Sequence, residues 1–224
     1  IVAVGFAHAV SVNDDGTVKA IGENTYGQCD VASWENIVSV YAGANHTVGL
    51  TADGRVVATG DNRNNQCNVG EWTDIIEIAV SPENTVGLKA DGSMVAAGSS
   101  IEKALQIQVL RESTQCSCLS AGHAHAVAVR TDGTVMASGS WKKEDYIKVD
   151  LWRDIVGISA GYNFTIGLKR DGTAVAIGSN TSKECNVADW KDIVSVSAGK
   201  YHTLGLKKDG TVVATGYNAN GQCN

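Results

Sequence analysis

Proline is almost absent from this sequence, occurring only at Pro82 among 224 residues, and aromatic side chains make up 6% of the chain. With 25 glycines, that scarcity excludes proline-rich disorder and collagen-like order, so the glycine serves turns. Positive charge is also in deficit: 18 basic residues against 24 acidic ones give a net charge of −6, the opposite of a nucleic-acid footprint. No run approaches the roughly 20 apolar residues of a membrane span, so membrane insertion is not expected. The apolar opening Ile1–Val12 lacks the basic leader of a secretory signal and recurs further on as residues 37–50, which makes it a repeat fragment.

What the chain does have is self-similarity. Asp-Gly-x-apolar-x-Ala-x-Gly begins at Asp15, Asp53, Asp91, Asp132, Asp171 and Asp209, with spacings of 38, 38, 41, 39 and 38. Each copy holds an apolar run such as IVSVSAG, a second such as HTLGL, the Asp-Gly pair, a third run such as TVVATG, and a polar loop. The alternation has period two, which predicts three strands per repeat, with QCDV or ECNV as a short fourth. Only residues 101–110 offer a helical alternative. Asp-Gly between two such runs signals a hairpin, because Gly accepts positive φ and Asp satisfies the local backbone; the six aspartates are therefore turn residues rather than a ring of catalytic or metal-binding carboxylates.

Short strands repeating about every 40 residues predict an all-β fold, a β-propeller of six blades of about 38 residues. The recurrent Ala-Gly at 42–43, 121–122, 160–161 and 198–199 suits strands that converge where only small side chains have room; blade three has Val80-Ser81-Pro82 in place of that pair. Aligning Ile1-Val2 with Ile37-Val38 leaves six residues between the two ends in repeat phase, which predicts one domain over 1–224 whose termini meet within a blade. A seven-bladed type with one blade missing from the chain is the alternative. An imperfectly closed ring would also offer an open edge through which a homodimer forms.

The pattern Ala-Gly-x-x-His-[Ser/Thr]-x-[Gly/Ala]-Leu, then Asp-Gly-x-Val-x-Ala-x-Gly, then Asn-x-x-Gly-Gln, clearest at residues 42–60 and 198–222, resembles the regulator of chromosome condensation repeat along the whole chain. The short repeat is similar to the bacterial branch of that family, which includes a propeller-type inhibitor of β-lactamases. The resemblance implies a propeller that binds protein partners through its faces. Those bacterial members carry Trp before the third-strand glycine, where this sequence has Ile21, Thr59, Ala97, Ser138, Ile177 and Thr215.

His8, His46, His125 and His202 occupy one repeat position, taken by Asn84 and Phe164 in the other copies. Equivalent positions on different blades are too far apart for zinc, whose ligand nitrogens lie about 2 Å from the metal, so structural histidines are expected and no metal or cofactor is assigned. Cys29, Cys67, Cys185 and Cys223 also share a position, each in its own blade, and are expected to be small buried hydrophobes without disulfides; Cys116 and Cys118 stand two apart in one strand. Six free thiols fit the cytoplasm or an anaerobe's exterior. No nucleophile elbow, phosphate loop or metalloprotease motif occurs, so no enzyme is expected.

Trp34, Trp72, Trp152 and Trp190 recur before the first strand of a repeat and are expected between blades. With Tyr41 set aside as well, the remaining aromatics fall in two loop families, Gly-x-x-His and Gly-x-Asn: Phe6, Tyr26, Trp141, Tyr146, Tyr162, Phe164, Tyr201 and Tyr217. Aromatic loop residues on a rigid scaffold are the anchors of protein-binding surfaces. The two length irregularities, at 98–113 and 139–152, lie beside this arc, and Ile101 to Leu105 suits a helical turn. The expected function is a non-catalytic protein-binding module at a bacterial surface or exported. Glycan or small-molecule binding around Tyr162, Tyr201, Trp141, Asn163 and Asn218, and inhibition of a β-lactamase-like enzyme, are the alternatives.

Overall fold

The computed structural model describes residues 1–98, 116–123, 125–139 and 149–224, and the chain divides into two compact units, Ile1–Ser113 and Thr114–Asn224. The first unit holds three antiparallel three-stranded sheets: β1 (Val2–Val4), β2 (His8–Val12) and β3 (Val18–Gly22); β4 (Ile37–Ala42), β5 (His46–Thr51) and β6 (Val56–Gly60); β7 (Ile75–Ser81), β8 (Asn84–Lys89) and β9 (Met94–Ala97). The second holds three more: β10 (Cys116–Ala121), β11 (His125–Arg130) and β12 (Val135–Gly139); β13 (Ile155–Ala160), β14 (Phe164–Lys169) and β15 (Ala174–Gly178); β16 (Ile193–Ala198), β17 (His202–Lys207) and β18 (Val212–Gly216). Each sheet is one blade of an all-β propeller, and six blades of about 38 residues match the six repeats. The helical alternative at 101–110 lies outside the described residues.

Every hairpin between second and third strands turns on the repeated Asp-Gly. In the first, Gly16 adopts φ +79°, while the Asp15 carboxylate accepts bonds from the Thr17 amide at 3.0 Å and the Thr17 hydroxyl at 2.6 Å. The same Asx geometry recurs at Asp91, Asp132, Asp171 and Asp209. At Asp53 the hydroxyl comes from Thr51, on the other side of the turn. These side-chain hydrogen bonds hold all six carboxyls below the ordinary aspartate range. The aspartates are turn residues.

A bulge interrupts the first strand of five blades, as between Ile37 and Ser39. Strict alternation would put Ile37 and Val40 on opposite faces, yet both are buried in one cluster with Val10, Val18 and Val31. The hairpin register also corrects the alignment of the N-terminus. Val2 pairs with Ser11 as Val40 pairs with Gly49, so Ile1 takes the phase of Ser39, not Ile37. In β10 the bulge falls between Cys116 and Cys118, which therefore do not stand as a simple i, i+2 pair.

The cores lie between blades. Val48, Leu50 and Val56 of one blade meet Val69, Trp72, Ile75 and Ile78 of the next; Ile166, Leu168 and Ala174 meet Val187, Trp190 and Ile193. Segments 28–31, 66–69 and 184–187, expected as a fourth strand, are turns that deliver Val31, Val69 and Val187 into these cores. The following tryptophan lies over a glycine of its own blade's second strand, so close that a β-carbon would sit 3.0 Å from the Trp34 ring at Gly49 and 2.7 Å from Trp190 at Gly205. First strands of neighbouring blades are tied by small residues: the Ser120 hydroxyl accepts the Ala160 amide at 2.9 Å, and Ser159 accepts that of Ala198 at 3.0 Å.

At the head of each blade, a β-carbon on the glycine would overlap the ring three residues on, in the pairs Gly5/His8, Gly43/His46, Gly122/His125, Gly161/Phe164 and Gly199/His202. Blade three changes both members together. Ser81 stands at the glycine position, and Asn84 replaces the ring, donating to the Ser81 hydroxyl at 2.9 Å. Gly199→Ser alone is expected to lose about 1–3 kcal/mol through overlap with His202. His202→Asn in the same chain should restore about half or more of that loss in a denaturant double-mutant cycle; additive losses would contradict the pairing.

Candidate functional site

The two aromatic-bearing loop families lie at the same end of their blade. The backbone amide just past the third strand donates to the loop between the first two strands: Glu23 to Ala7, Asp61 to Asn45, Ser179 to Asn163 and Tyr217 to Tyr201, each at 2.8 Å. The first of these loops is closed by the glycine amide on the carbonyl three residues ahead, as in Gly43 to His46 and Gly161 to Phe164, both at 2.8 Å.

The second loop is pinned by an asparagine. Asn62 Oδ1 accepts the Cys67 amide at 2.9 Å, Asn62 Nδ2 donates to Asn68 at 2.9 Å, the Gln66 side chain accepts the Asn64 amide at 2.9 Å, and the Cys67 thiol donates to the Asp61 carbonyl at 3.5 Å. Asn24, Asn180 and Asn218 repeat the pattern with Cys29, Cys185 and Cys223. These cysteines are thus half-buried thiol donors rather than the buried hydrophobes expected, and none of these four forms a disulfide. Burial pushes the Cys67 thiol up to about 11 and the Cys185 thiol up to about 12.

Threonines and histidines join this end of one blade to the next. The Thr47 hydroxyl donates to the Gln28 carbonyl at 2.7 Å and Thr85 to that of Gln66 at 2.8 Å, so each hydroxyl proton is taken. His8 Nε2, 2.9 Å from Thr47, and His46 Nε2, 3.2 Å from Thr85, must therefore donate, and both rings are neutral Nε2–H tautomers. Their Nδ1 atoms are buried without an acceptor, which agrees. His125 approaches Thr165 at 2.9 Å, and Phe164 fills the same slot without the bond. Burial drives His46 down to about 4 and His125 down to about 3, and lowers His8. Among the described residues no three His, Cys, Asp or Glu side chains come together around one metal position.

The candidate anchors fall into distinct environments. Tyr162 stacks on His123 with ring centres 4.2 Å apart and planes 7° from parallel. Tyr201 lies 5.9 Å from Tyr162 at 55°, and the exposed Lys200 Nζ sits 5.1 Å from the centre of each tyrosine ring. In the other unit Tyr26 carries the Arg63 guanidinium at 4.8 Å, and Arg63 forms a forked pair with Asp61 at 2.7 and 2.8 Å. Phe6 is 87% exposed and Tyr217 43%. Phe164 is fully buried in the histidine slot and is a core residue, not a surface anchor. Trp141 and Tyr146 lie outside the described residues. His123 was missed as an aromatic contact, although it shares the position after the loop glycine with Phe6, Tyr162 and Lys200.

At two of the positions before the third-strand glycine a hydroxyl ties loops together: Thr59 donates to the Gly27 carbonyl and Thr215 to that of Lys183, each at 2.9 Å. Asn218 is bonded at both ends of its amide inside its own loop, to the Cys223 amide and to Asn224 at 2.8 Å each.

Six repeated three-stranded blades with Gly-x-x-His loops and Asp-Gly hairpins define a β-propeller of short repeats. The chain belongs to the regulator of chromosome condensation (RCC1) repeat family, whose model matches residues 1–28, 37–66, 155–183 and 193–222. No curated protein matches it. The receptor kinase CR4 ectodomain of Physcomitrella patens is similar with TM-score 0.76 and 16% identity over 98% of this chain and 64% of that one, so the chain spans less than two thirds of that ectodomain. Prp20p of Saccharomyces cerevisiae is similar with TM-score 0.72 and 17% identity over 97% of this chain and 71% of its own, and human WBSCR16 with 0.69 and 16% over 92% and 71%. At such identities the likeness concerns the fold.

The neutral histidines have a signed pH consequence. A buried imidazole with a depressed folded-state pKa contributes stability that is complete above the unfolded value near 6.5 and is lost as pH falls toward its folded value. Thermal stability should therefore fall by several degrees between about pH 7 and pH 5, where the turn aspartates remain ionised. His46→Phe, which copies blade five, should keep the fold and flatten the slope; an unchanged slope would contradict the assignment.

Proposed function

We propose that the chain is a non-catalytic protein-binding propeller whose partner docks on the loop end of its blades, centred on Tyr162, Lys200 and Tyr201. The observation that carries this is the row of His123, Tyr162, Lys200 and Tyr201, held on loops whose backbones are closed by their own hydrogen bonds. Rings already stacked and loops already closed lose little freedom on binding, which is what lets an aromatic anchor contribute its buried area to affinity. The family supports the same style of function. Prp20p has been studied for its binding to Gsp1p and histones, and at 17% identity this chain takes a partner of its own.

The glycan alternative draws on Asn218, whose amide is already bonded at both ends within its loop. The β-lactamase-inhibitor alternative lacks its tryptophans, two of which are replaced by the loop-tying Thr59 and Thr215. An exported or surface location at a bacterium is part of the proposal. The Cys29, Cys67 and Cys185 thiols, raised by burial, are almost entirely protonated at neutral pH and exchange slowly, so these three do not oppose it.

The test compares wild type with a Tyr162→Ala, Tyr201→Ala variant of matched thermal stability in capture from the envelope and extracellular fractions of the source organism. A protein held by wild type and bound at least about 30-fold more weakly by the variant is expected, the loss typical of truncating buried aromatic anchors. Equal capture by both would move the function elsewhere.

A further inference from the structure

Among the described residues two cations lie over tyrosine rings, and only one of them has a described carboxylate. Over Tyr26, the Arg63 guanidinium is gripped by Asp61 at 2.7 and 2.8 Å, so that group is neutralised within the chain. Over Tyr162 and Tyr201, the Lys200 ammonium has the same aromatic support, 5.1 Å from both ring centres, but no carboxylate within ion-pair distance among the described residues. The ring faces hold the ammonium in one place while its outer side stays in solvent.

The surrounding charge points the same way. In the loop-end segments of blades five and six, residues 161–164, 179–186, 199–202 and 217–224, the charged side chains are Lys183, Glu184 and Lys200. Glu184 is fully buried, and its carboxylate accepts the Ser179 hydroxyl at 2.8 Å and the Ser182 amide at 2.7 Å. The two exposed charges, Lys183 and Lys200, are both positive in a chain of net charge −6. Among the described residues of the first unit, the corresponding segments carry Glu23, Asp30 and Glu83 besides the closed Asp61–Arg63 pair.

We infer that the partner at the Tyr162–Lys200–Tyr201 row presents an acidic peptide segment, with an Asp or Glu carboxylate taking at Lys200 the place that Asp61 takes at Arg63. The partner's methylene groups then lie on the tyrosine faces while its carboxylate meets the ammonium. This rests on the protein-binding reading of the row and adds the chemistry of the partner.

The probe is a short fluorescein-labelled poly-glutamate peptide, with poly-glutamine of equal length as its neutral counterpart, followed by fluorescence anisotropy at low salt and at about 0.3 M salt. Poly-glutamate should bind and poly-glutamine should not. Lys200→Gln should weaken binding about 10-fold or more with unchanged thermal stability, Lys200→Arg should stay within about 3-fold of wild type, and Lys208→Gln in the segment after β17 should have no effect. Binding of poly-glutamate that ignores Lys200→Gln, or a single-stranded DNA probe that depends on Lys200 while poly-glutamate does not bind, would overturn the inference. Capture of a protein partner that is lost in Tyr162→Ala, Tyr201→Ala but intact in Lys200→Gln would overturn it while leaving the protein-binding function standing.

Discussion

At the head of five blades a glycine leaves room for the ring three residues on, and at His8, His46 and His125 that ring reaches a threonine of the neighbouring blade. The contact has two parts with different physical origins. Without a β-carbon at Gly5 or Gly43 the imidazole lies against the backbone, a fit that no L side chain leaves open. The Nε2–H then meets a hydroxyl already donating to a loop carbonyl of the first blade, so His8, Thr47 and Gln28 form a directional chain across the blade boundary. Hydrophobic clusters hold the blades together, but apolar contact is non-directional. The polar chain fixes which loop stands beside which, and the candidate surface inherits its rigidity.

The threefold substitution pattern at this position shows which part matters. Phe164 keeps the ring against its glycine and gives up the hydrogen bond, and Thr203 still donates to the Glu184 carbonyl at 2.7 Å. Asn84 gives up the ring, and its glycine partner has become Ser81. Filling the space is thus maintained in every described blade, by different atoms, while the histidine bond is optional.

Much of this was legible in the sequence because the repeat displays each constraint several times. Period-two runs and six Asp-Gly pairs carry the blades, and Trp34, Trp72, Trp152 and Trp190 announce the inter-blade cores. The misreadings have local causes. Matching Ile1 to Ile37 by residue type set the N-terminus two residues out of the register in which Val2 corresponds to Val40, as the 38-residue spacing of His8 and His46 already implied. Cys29 and its equivalents look like small hydrophobes, yet a sulfur facing a carbonyl across a six-residue loop is a matter of loop geometry. Phe164 counts as a loop aromatic by position and is a core residue by its glycine. His123 is not a member of the repeated histidine set, yet its repeat position aligns it with Tyr162.

The central claim is that neutral histidines donate across the blade boundaries, and two-bond proton–nitrogen correlation spectra of histidine-labelled protein near neutral pH test it most directly. His8 and His46 should each show a protonated Nε2 and a bare Nδ1. Protonation at Nδ1, or the pattern of a charged imidazolium, would contradict the account.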